Sequence, residues 1–181
     1  KGTFGHALVV AGSRDYVGAA YLASQGAARV GPGLVTLVSP EGAYPMLASK
    51  LTEVMHHPVP EDTEGKFQPE AARLIKENLS RFSSMLLGCG FGRSQGLVEF
   101  IRELLFAAPQ PVLPAVIDAD GLHNLSKIEN WWVHLKCPTV LTPHPGEMSA
   151  LTGVATSEIQ SDRTHTALDW SVRWCHVVVL K

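Results

Sequence analysis

A histidine between two prolines stands where an apolar run gives way to a helical pattern, in the segment TVLTPHPGEMSALTG over residues 139–153. The run ending at Leu141 has the character of a buried strand, and Gly146-Glu147 opens a segment with helical spacing. In an open α/β sheet, ligands bind outside the carboxyl ends of the strands, where a helix offers unpaired N–H groups to an anion. His144 and Glu147 are therefore candidate binding residues. From the residues alone, a histidine between prolines in a loop is more often a hydrogen-bonded structural residue, and that alternative stays open.

Two aspartates follow another apolar run, in the segment PVLPAVIDADG over residues 111–121. Asp118 and Asp120 are two residues apart, so both side chains face the crevice if the strand continues that far. Carboxylates in that arrangement hold a magnesium ion or its waters, or position a hydroxyl group. The alternative for Asp120 is a cap on the helix that begins at Gly121.

Glycines at alternate positions follow a third apolar run, in the segment SMLLGCGFGRS. Gly88, Gly90 and Gly92 permit positive φ angles and a close approach of the backbone to a ligand, although glycine turns after strands are common. Ser13 follows the first apolar run in the same way, and Lys181 follows the last. Because the carboxyl ends of parallel strands share one edge of a sheet, we expect these groups to line one crevice.

Apolar runs alternate with helical patterns along the whole sequence, which predicts an α/β fold with a mainly parallel sheet and helices on both faces. The helical patterns include residues 69–82 and 127–136, and one long amphipathic helix is predicted over residues 157–175. A buried strand is predicted over residues 176–181.

A pair of adjacent histidines, His56 and His57, lies on a predicted strand. Adjacent side chains on a strand point to opposite faces, so these two histidines are not expected to share a metal ion.

Length and composition favour one globular domain over residues 1–181, with 45% hydrophobic and 18% charged residues. The formal net charge of -2 and the lack of any Lys or Arg run argue against a nucleic-acid surface. The 3 cysteines have no metal-type spacing, which indicates a reducing compartment and neither a disulfide framework nor a zinc site. No apolar run is long enough to cross a membrane. A cytoplasmic protein is expected.

Segments spread over nearly the whole chain resemble the nucleotide-dependent NAD(P)H-hydrate dehydratases, a branch of the ribokinase-like superfold. They are GHALVVAGS, YVGAAYLASQGAARVGPGLVTLVSP, LLGCGFGRS, VIDADGLHNLS, TVLTPHPGEMSALTG and VVVLK, in this order. The resemblance implies a three-layer α/β/α fold and a metabolite-repair lyase. Such enzymes use ADP or ATP to phosphorylate the hydroxyl of hydrated NADH or NADPH and then eliminate phosphate, which restores the reduced cofactor. ADP or ATP is thus the expected phosphoryl donor, with Mg²⁺ as the expected ion.

The resemblance also assigns roles to matching positions of this chain. The implied contacts to the hydrated nicotinamide are Ala19, Gly90, Gly92 and His144. Ser13 and Asn124 would lie near the crevice, and Lys181 matches the start of a lysine-glycine stretch that runs along the AMP moiety of the nucleotide. A homo-oligomer is implied as well.

A glycine-rich GTGD or GSGD block follows that lysine stretch in the family and supplies an anion hole and the aspartate expected to act as base. The chain ends at Lys181, so it contains no such block. An anion hole and a general base contribute much of the rate of phosphoryl transfer. We therefore expect residues 1–181 to be a C-terminally incomplete domain that does not turn over by itself.

Two other functions stay open from the sequence. A small-molecule kinase of the same superfold, acting on a sugar or a vitamin-precursor alcohol, shares the phosphorylation step, but the HPGE segment favours the dehydratase. A non-catalytic module that binds nucleotide or assembles with a partner belongs to a different class.

Overall fold

A single parallel sheet forms the centre of the computed structural model, which describes residues 3–181. Its seven strands follow the order β3-β2-β1-β4-β5-β6-β7, and every neighbouring pair is parallel. The strands are β1 (His6–Val10), β2 (Leu34–Pro40), β3 (Met55–Val59), β4 (Ser84–Leu87), β5 (Ala115–Ile117), β6 (Thr139–Leu141) and β7 (Val177–Val178). This is a doubly wound sheet, and it confirms the predicted α/β class.

Helices connect these strands in the described part of the chain. They are α1 (Val17–Arg29), α2 (Tyr44–Ala48), α3 (Pro69–Lys76), α4 (Gln95–Leu105), α5 (Asp120–Leu125), α6 (Trp131–His134), α7 (Pro145–Thr152), α8 (Thr156–Ser161) and α9 (Arg163–Trp174), with short 3₁₀ turns at Glu41–Ala43 and Leu79–Arg81. None of the helices within residues 3–181 combines the length and the apolar character that a bilayer crossing requires.

The central strand β1 is buried on both of its faces. Leu8 and Val10 point into the larger core, while Val9 points into a smaller core on the opposite face. A parallel strand covered on both sides has no polar face, which is why this strand reads as a continuous apolar run in the sequence.

Helices cover the two faces of the sheet unequally. The larger core contains side chains from α3 through α9, including Phe100, Leu122 and Trp131. On the opposite face α1 and α2 cover β1 to β3, Leu86 of β4 packs at the margin of this core, and the described residues place no helix over β5 to β7. Val177 and Val179 on that side are 56% and 48% exposed, so part of the sheet presents bare apolar surface.

The predicted long helix over residues 157–175 is wrong, because the structure has two helices, α8 and α9, separated at Asp162. Asp162 has non-helical backbone angles, and its carboxylate accepts a hydrogen bond from the N–H of His165 at 3.0 Å. An aspartate that caps a new helix in this way satisfies a donor that a continuous helix would have paired with the backbone.

Other predicted elements are shorter in the structure. The helix predicted over residues 69–82 ends at Lys76, and the one over residues 127–136 forms only from Trp131 to His134. The last predicted strand is reduced to Val177–Val178, which lies at the edge of the sheet and is not buried.

Candidate functional site

The first glycine turn packs against the start of α1. Gly90 has φ 71°, and a Cβ placed on it would lie 2.6 Å from the Cβ of Ala19, so the loop and the helix are in close contact here. The buried hydroxyl of Ser13 donates to the backbone oxygen of Gly90 at 2.9 Å. The Ser13 hydroxyl therefore holds the glycine loop in place and does not point into the crevice.

The second half of the glycine loop is held by α5. The carboxylate of Asp120 accepts a hydrogen bond from the N–H of Gly92 at 2.9 Å, and the amide of Asn124 donates to the oxygen of Gly92 at 2.9 Å. Arg93 lies 3.5 Å from the other carboxylate oxygen of Asp120. Both backbone polar groups of Gly92 are thus fixed by α5, which orients the loop.

The two aspartates of the DAD segment point to different partners. Asp118 pairs with the ammonium of Lys181 at 2.6 Å, whereas Asp120 turns to Gly92. The condition for both side chains to face the crevice is not met, because β5 ends at Ile117 and Ala119, with φ 53°, breaks the strand alternation. Capping by Asp120 is wrong, since Asp120 is the first helical residue and Ala119 occupies the N-cap position.

The environment of Asp118 favours its ionised form. Burial alone would raise the pKa of this carboxyl, but hydrogen bonds from Lys181 and Thr142 and the positive charge of Lys181 outweigh it, so the pKa is lowered. The carboxylate and the ammonium therefore form a charged pair at neutral pH.

His144 begins α7 through its side chain. Its Nδ1 accepts hydrogen bonds from the N–H groups of Gly146 and Glu147 at 3.0 and 3.3 Å, and the carboxylate of Glu147 accepts from the N–H of His144 at 2.8 Å. This reciprocal arrangement is a capping box with histidine in place of serine. Because Nδ1 accepts, the neutral ring carries its proton on Nε2, which lies 3.3 Å from Glu147 Oε1.

A cavity of about 510 Å³ lies beside these groups on the partly bare face of the sheet. The predicted site residues among its lining are Ala19, Asp118 and Lys181; the others are Leu22, Ala23, Leu86, Cys89, Val116, Thr142 and Val179. Gly90 touches Ala19, and the N–H of Lys181 donates to the oxygen of Pro143 at 2.9 Å, next to His144. Gly92, Asn124 and Glu147 lie in the surrounding shell and do not line this cavity.

A protein-held magnesium site does not fit these residues. Within residues 3–181 there is no group of three His, Cys, Asp or Glu side chains that could hold a metal ion. The carboxylates of Asp118 and Asp120 are already engaged by Lys181 and Gly92. A Mg²⁺ ion that arrives with a nucleotide takes most of its oxygen ligands from phosphates and water, and such an ion needs no site of this kind.

Several residues at the site carried little signal in the sequence. Lys66 lies against Gly92, with its Cε 3.2 Å from the position of an added Cβ, and Tyr16 lies beside Gly90. Lys66 stands in a polar loop with no motif, so only the fold brings it here. Cys89 lines the cavity, but burial and then the negative charge of Asp118 raise its pKa to about 11, so its thiol stays protonated at neutral pH.

The parallel sheet and the cavity at the carboxyl ends of its strands are those of a ribokinase-like α/β protein. A solved ribokinase-like superfamily protein from Enterococcus faecalis has the same fold, with a TM-score of 0.78 at 19% identity, covering 98% of this chain and 57% of that chain. The sequence model of the NAD(P)H-hydrate dehydratase family matches residues 7–181, and this chain belongs to that family.

Named relatives agree with this membership. A bifunctional NAD(P)H-hydrate repair enzyme from Moorella thermoacetica is 38% identical over 181 residues, which cover 100% of this chain and 34% of that protein. An ADP-dependent (S)-NAD(P)H-hydrate dehydratase from Bacillus subtilis is 30% identical and is covered over 59% of its length.

A crystal structure of the ADP/ATP-dependent Bacillus subtilis dehydratase, co-crystallised with ATP/Mg²⁺ and soaked with CoA, has a TM-score of 0.74 to this chain at 28% identity. The structural match covers 100% of this chain and 60% of the Bacillus subtilis chain. The chain therefore spans between about a third and three fifths of the relatives it matches.

Proposed function

We propose that the protein containing this chain is a nucleotide-dependent NAD(P)H-hydrate dehydratase, and that residues 1–181 supply the substrate side of its crevice. One observation carries the proposal: an expected substrate contact and the expected nucleotide contact line one cavity, and two further expected contacts adjoin them. Gly90 touches Ala19, Ala19 and Lys181 line the same cavity, and Lys181 is hydrogen-bonded to the residue before His144.

The proposed reaction has two steps. The hydroxyl oxygen of the hydrated nicotinamide gives its proton to the base expected in the GxGD block and forms a bond to the terminal phosphorus of ADP or ATP, while the bond from that phosphorus to the nucleotide breaks and AMP or ADP leaves. Phosphate then leaves with the same oxygen as the ring loses a proton, and the reduced nicotinamide re-forms. Phosphoryl transfer of this kind depends chiefly on positioning and on neutralising charge.

The glycine loop and His144 position the substrate in this proposal. Gly90 allows the glycine loop to lie close to the start of α1 beside the cavity, since a side chain there would strike Ala19. The capping box fixes the orientation of the His144 ring, which is 56% exposed, and its Nε2–H, 3.3 Å from Glu147 Oε1, is shared between that carboxylate and a substrate oxygen in this proposal. A carboxamide or hydroxyl oxygen of the substrate is a suitable acceptor.

Lys181 contributes positive charge on the nucleotide side. Asp118 holds its ammonium at the cavity wall at 2.6 Å, so the cation is already positioned before a nucleotide binds. A positioned ammonium binds a nucleotide oxygen with a smaller loss of side-chain entropy than a freely moving one. The aspartate base of the GxGD block is expected outside residues 1–181 and stays a prediction.

The decisive experiment uses the full-length protein with hydrated NADH or NADPH and either ADP or ATP. The recovery of absorbance in the reduced-nicotinamide band, together with release of inorganic phosphate, is the expected result. A full-length Gly90→Ala variant serves as the control, because a side chain at this position should displace the loop and abolish most of the recovery. Absence of recovery with both nucleotides in the wild type would disprove the proposal.

The same experiment separates the alternatives. A stable phosphorylated alcohol without any lyase activity would indicate a kinase, and heat of nucleotide binding without any turnover would indicate a binding module. The single domain, the homo-oligomer and the cytoplasmic location stay predictions of the sequence.

A further inference from the structure

A second, smaller cavity lies on the other face of the sheet, within the larger core layer. It has a volume of about 140 Å³ and lies between strands β1 to β3 and the segment from the end of α3 to Phe82. Its polar lining includes Thr36, His57 and Arg81, and no carboxylate lines it among the described residues. The proposed reaction uses none of these residues.

Arg81 brings an unneutralised positive charge to this cavity. Its guanidinium contacts only the side-chain oxygen of Asn78, at 3.5 Å, and forms no ion pair with any residue in the range 3–181. An arginine presents several N–H donors in a plane that matches the oxygens of phosphate or carboxylate groups. Arg81 is exposed, so water hydrates its charge in the free protein, and an anion in the cavity is a suitable partner for it.

Two strand residues, Thr36 and His57, add polar groups to the lining of this cavity. Thr36 pairs with Met55 and Val38 pairs with His57 in neighbouring strands, so strand alternation turns Thr36 and His57 to the same face as Val38 in the larger core. The Thr36 hydroxyl is 2.8 Å from Nε2 of His6. A hydroxyl and an imidazole thus accompany the guanidinium around the cavity.

His6 contacts the Thr36 hydroxyl and can change its protonation state. Burial and then the charge of Arg81 lower the pKa of His6, and these effects outweigh the nearby backbone of Arg81, which raises it. A neutral His6 whose Nε2 carries no proton accepts from Thr36 and so occupies the only proton of the hydroxyl. A protonated His6 donates from both nitrogens and leaves the Thr36 hydroxyl free to donate into the cavity.

We propose that this cavity binds one free tetrahedral oxyanion of the size of inorganic phosphate, held by Arg81, His57 and Thr36. A cavity of about 150 Å³ holds a six-carbon aromatic ring in a protein core, so an ion of five heavy atoms fits this one. The anion offsets the charge repulsion between Arg81 and His6, and binding takes up a proton at His6. The site is separate from the crevice and does not depend on the function proposed above.

Nuclear magnetic resonance of the histidine rings tests this site in the full-length protein. Inorganic phosphate is added at constant ionic strength, with chloride as the reference anion. The ring signals of His6 and His57 should shift and saturate together, and the pKa of His6 should rise in phosphate. Arg81→Gln should weaken this binding at least about tenfold, because a charged hydrogen-bond donor is lost.

A matched control is Arg73→Gln, which removes an exposed arginine on α3 that does not line the cavity. It should leave the phosphate response unchanged, and thermal melts should show that both variants fold. Thr36→Val is a second test inside the cavity and should also weaken binding.

Three outcomes would overturn the proposal. The first is a His6 signal that does not shift while phosphate is added. The second is an Arg81→Gln variant that binds phosphate as tightly as the wild type. The third is tighter binding of glycerol phosphate than of the free ion. His144 reports separately on the crevice, so phosphate that moves only the His144 signal disproves this site and leaves the proposed function standing. Conversely, a full-length protein that lacks dehydratase activity but whose His6 signal responds to phosphate supports this site and disproves the proposed function.

Discussion

The side-chain amide of Asn124 donates a hydrogen bond to the backbone oxygen of Gly92 at 2.9 Å. Asn124 is 1% exposed, and its amide also reaches the oxygen of Asp120 at 2.7 Å. Leaving a buried carbonyl unpaired costs about 1–3 kcal/mol. We expect Asn124→Leu to lower the free energy of unfolding by that amount and to raise KM for the hydrated cofactor, as measured by urea unfolding and steady-state kinetics.

Ser126→Ala is the control for that substitution, because the Ser126 hydroxyl contacts only the oxygen of His123 in the same helical segment. Its KM should equal that of the wild type. An unchanged KM in Asn124→Leu would show that α5 does not hold the glycine loop in its binding geometry.

Gly90 allows no side chain at its position. Its φ of 71° is disfavoured for other residues, and an added Cβ would lie 2.6 Å from Ala19 Cβ and 3.0 Å from Tyr16 Cβ. A left-handed backbone angle alone costs an L-residue about 1–2 kcal/mol, and the overlap adds to it. We expect Gly90→Ala to lose at least this much stability and most of its affinity for the hydrated cofactor, measured by thermal unfolding and calorimetry.

Two further variants isolate the cause. Ala19→Gly in the Gly90→Ala background should recover part of the stability, because it removes the overlap with Ala19 but neither the contact with Tyr16 nor the backbone strain. Gly26→Ala, in α1 and with no atom within 4 Å of the added carbon, should instead gain about 0.5–1 kcal/mol. A Gly90→Ala protein as stable as the wild type would contradict the close contact.

The sequence was sufficient for the fold class and for most strands, because buried parallel strands are short apolar runs that are easy to recognise. Boundaries were less predictable. The break at Asp162 depends on one side-chain hydrogen bond to His165, and a periodic pattern cannot distinguish a break of this kind from a continuous helix. The edge position of Val177 likewise depends on strand order, which is a property of the whole sheet.

The candidate site was predictable in its location but not in its pairings. Strand ends placed Asp118, Gly90 and Lys181 at one edge, as parallel topology requires. The partner of Asp120 was not predictable, since the positive φ of Ala119 changes the direction of the side chain. Lys66 reaches Gly92 from a loop far away in sequence, and no local pattern indicates that contact.

Lys76 is a buried cation that holds two helices together. Its side chain is 6% exposed, and its ammonium donates to the backbone oxygens of Glu103 and Ala107 at 3.1 and 2.9 Å near the end of α4. Lys76→Met removes the donors of these part-buried carbonyls, so we expect the free energy of unfolding to fall by about 1–3 kcal/mol. Urea unfolding measures it, and the exposed Arg73→Met should change little. Equal stability of the two variants would contradict this role.

The ion pair between Asp118 and Lys181 predicts a specific acid dependence of stability. The pKa of Asp118 is lowered in the folded protein, so its carboxylate stabilises the fold above the ordinary aspartate pKa of about 3.9. This contribution is lost as the pH falls through the lower folded-state pKa. The stability difference between the wild type and Asp118→Asn, from urea unfolding at a series of pH values, should therefore be constant at neutral pH and shrink in acid.

In a Lys181→Met background the stability difference caused by Asp118→Asn should lose most of its pH dependence, because the ammonium that lowers the pKa of Asp118 is gone. A difference that persists undiminished in acid would show that Asp118 acts through packing and not through its charge.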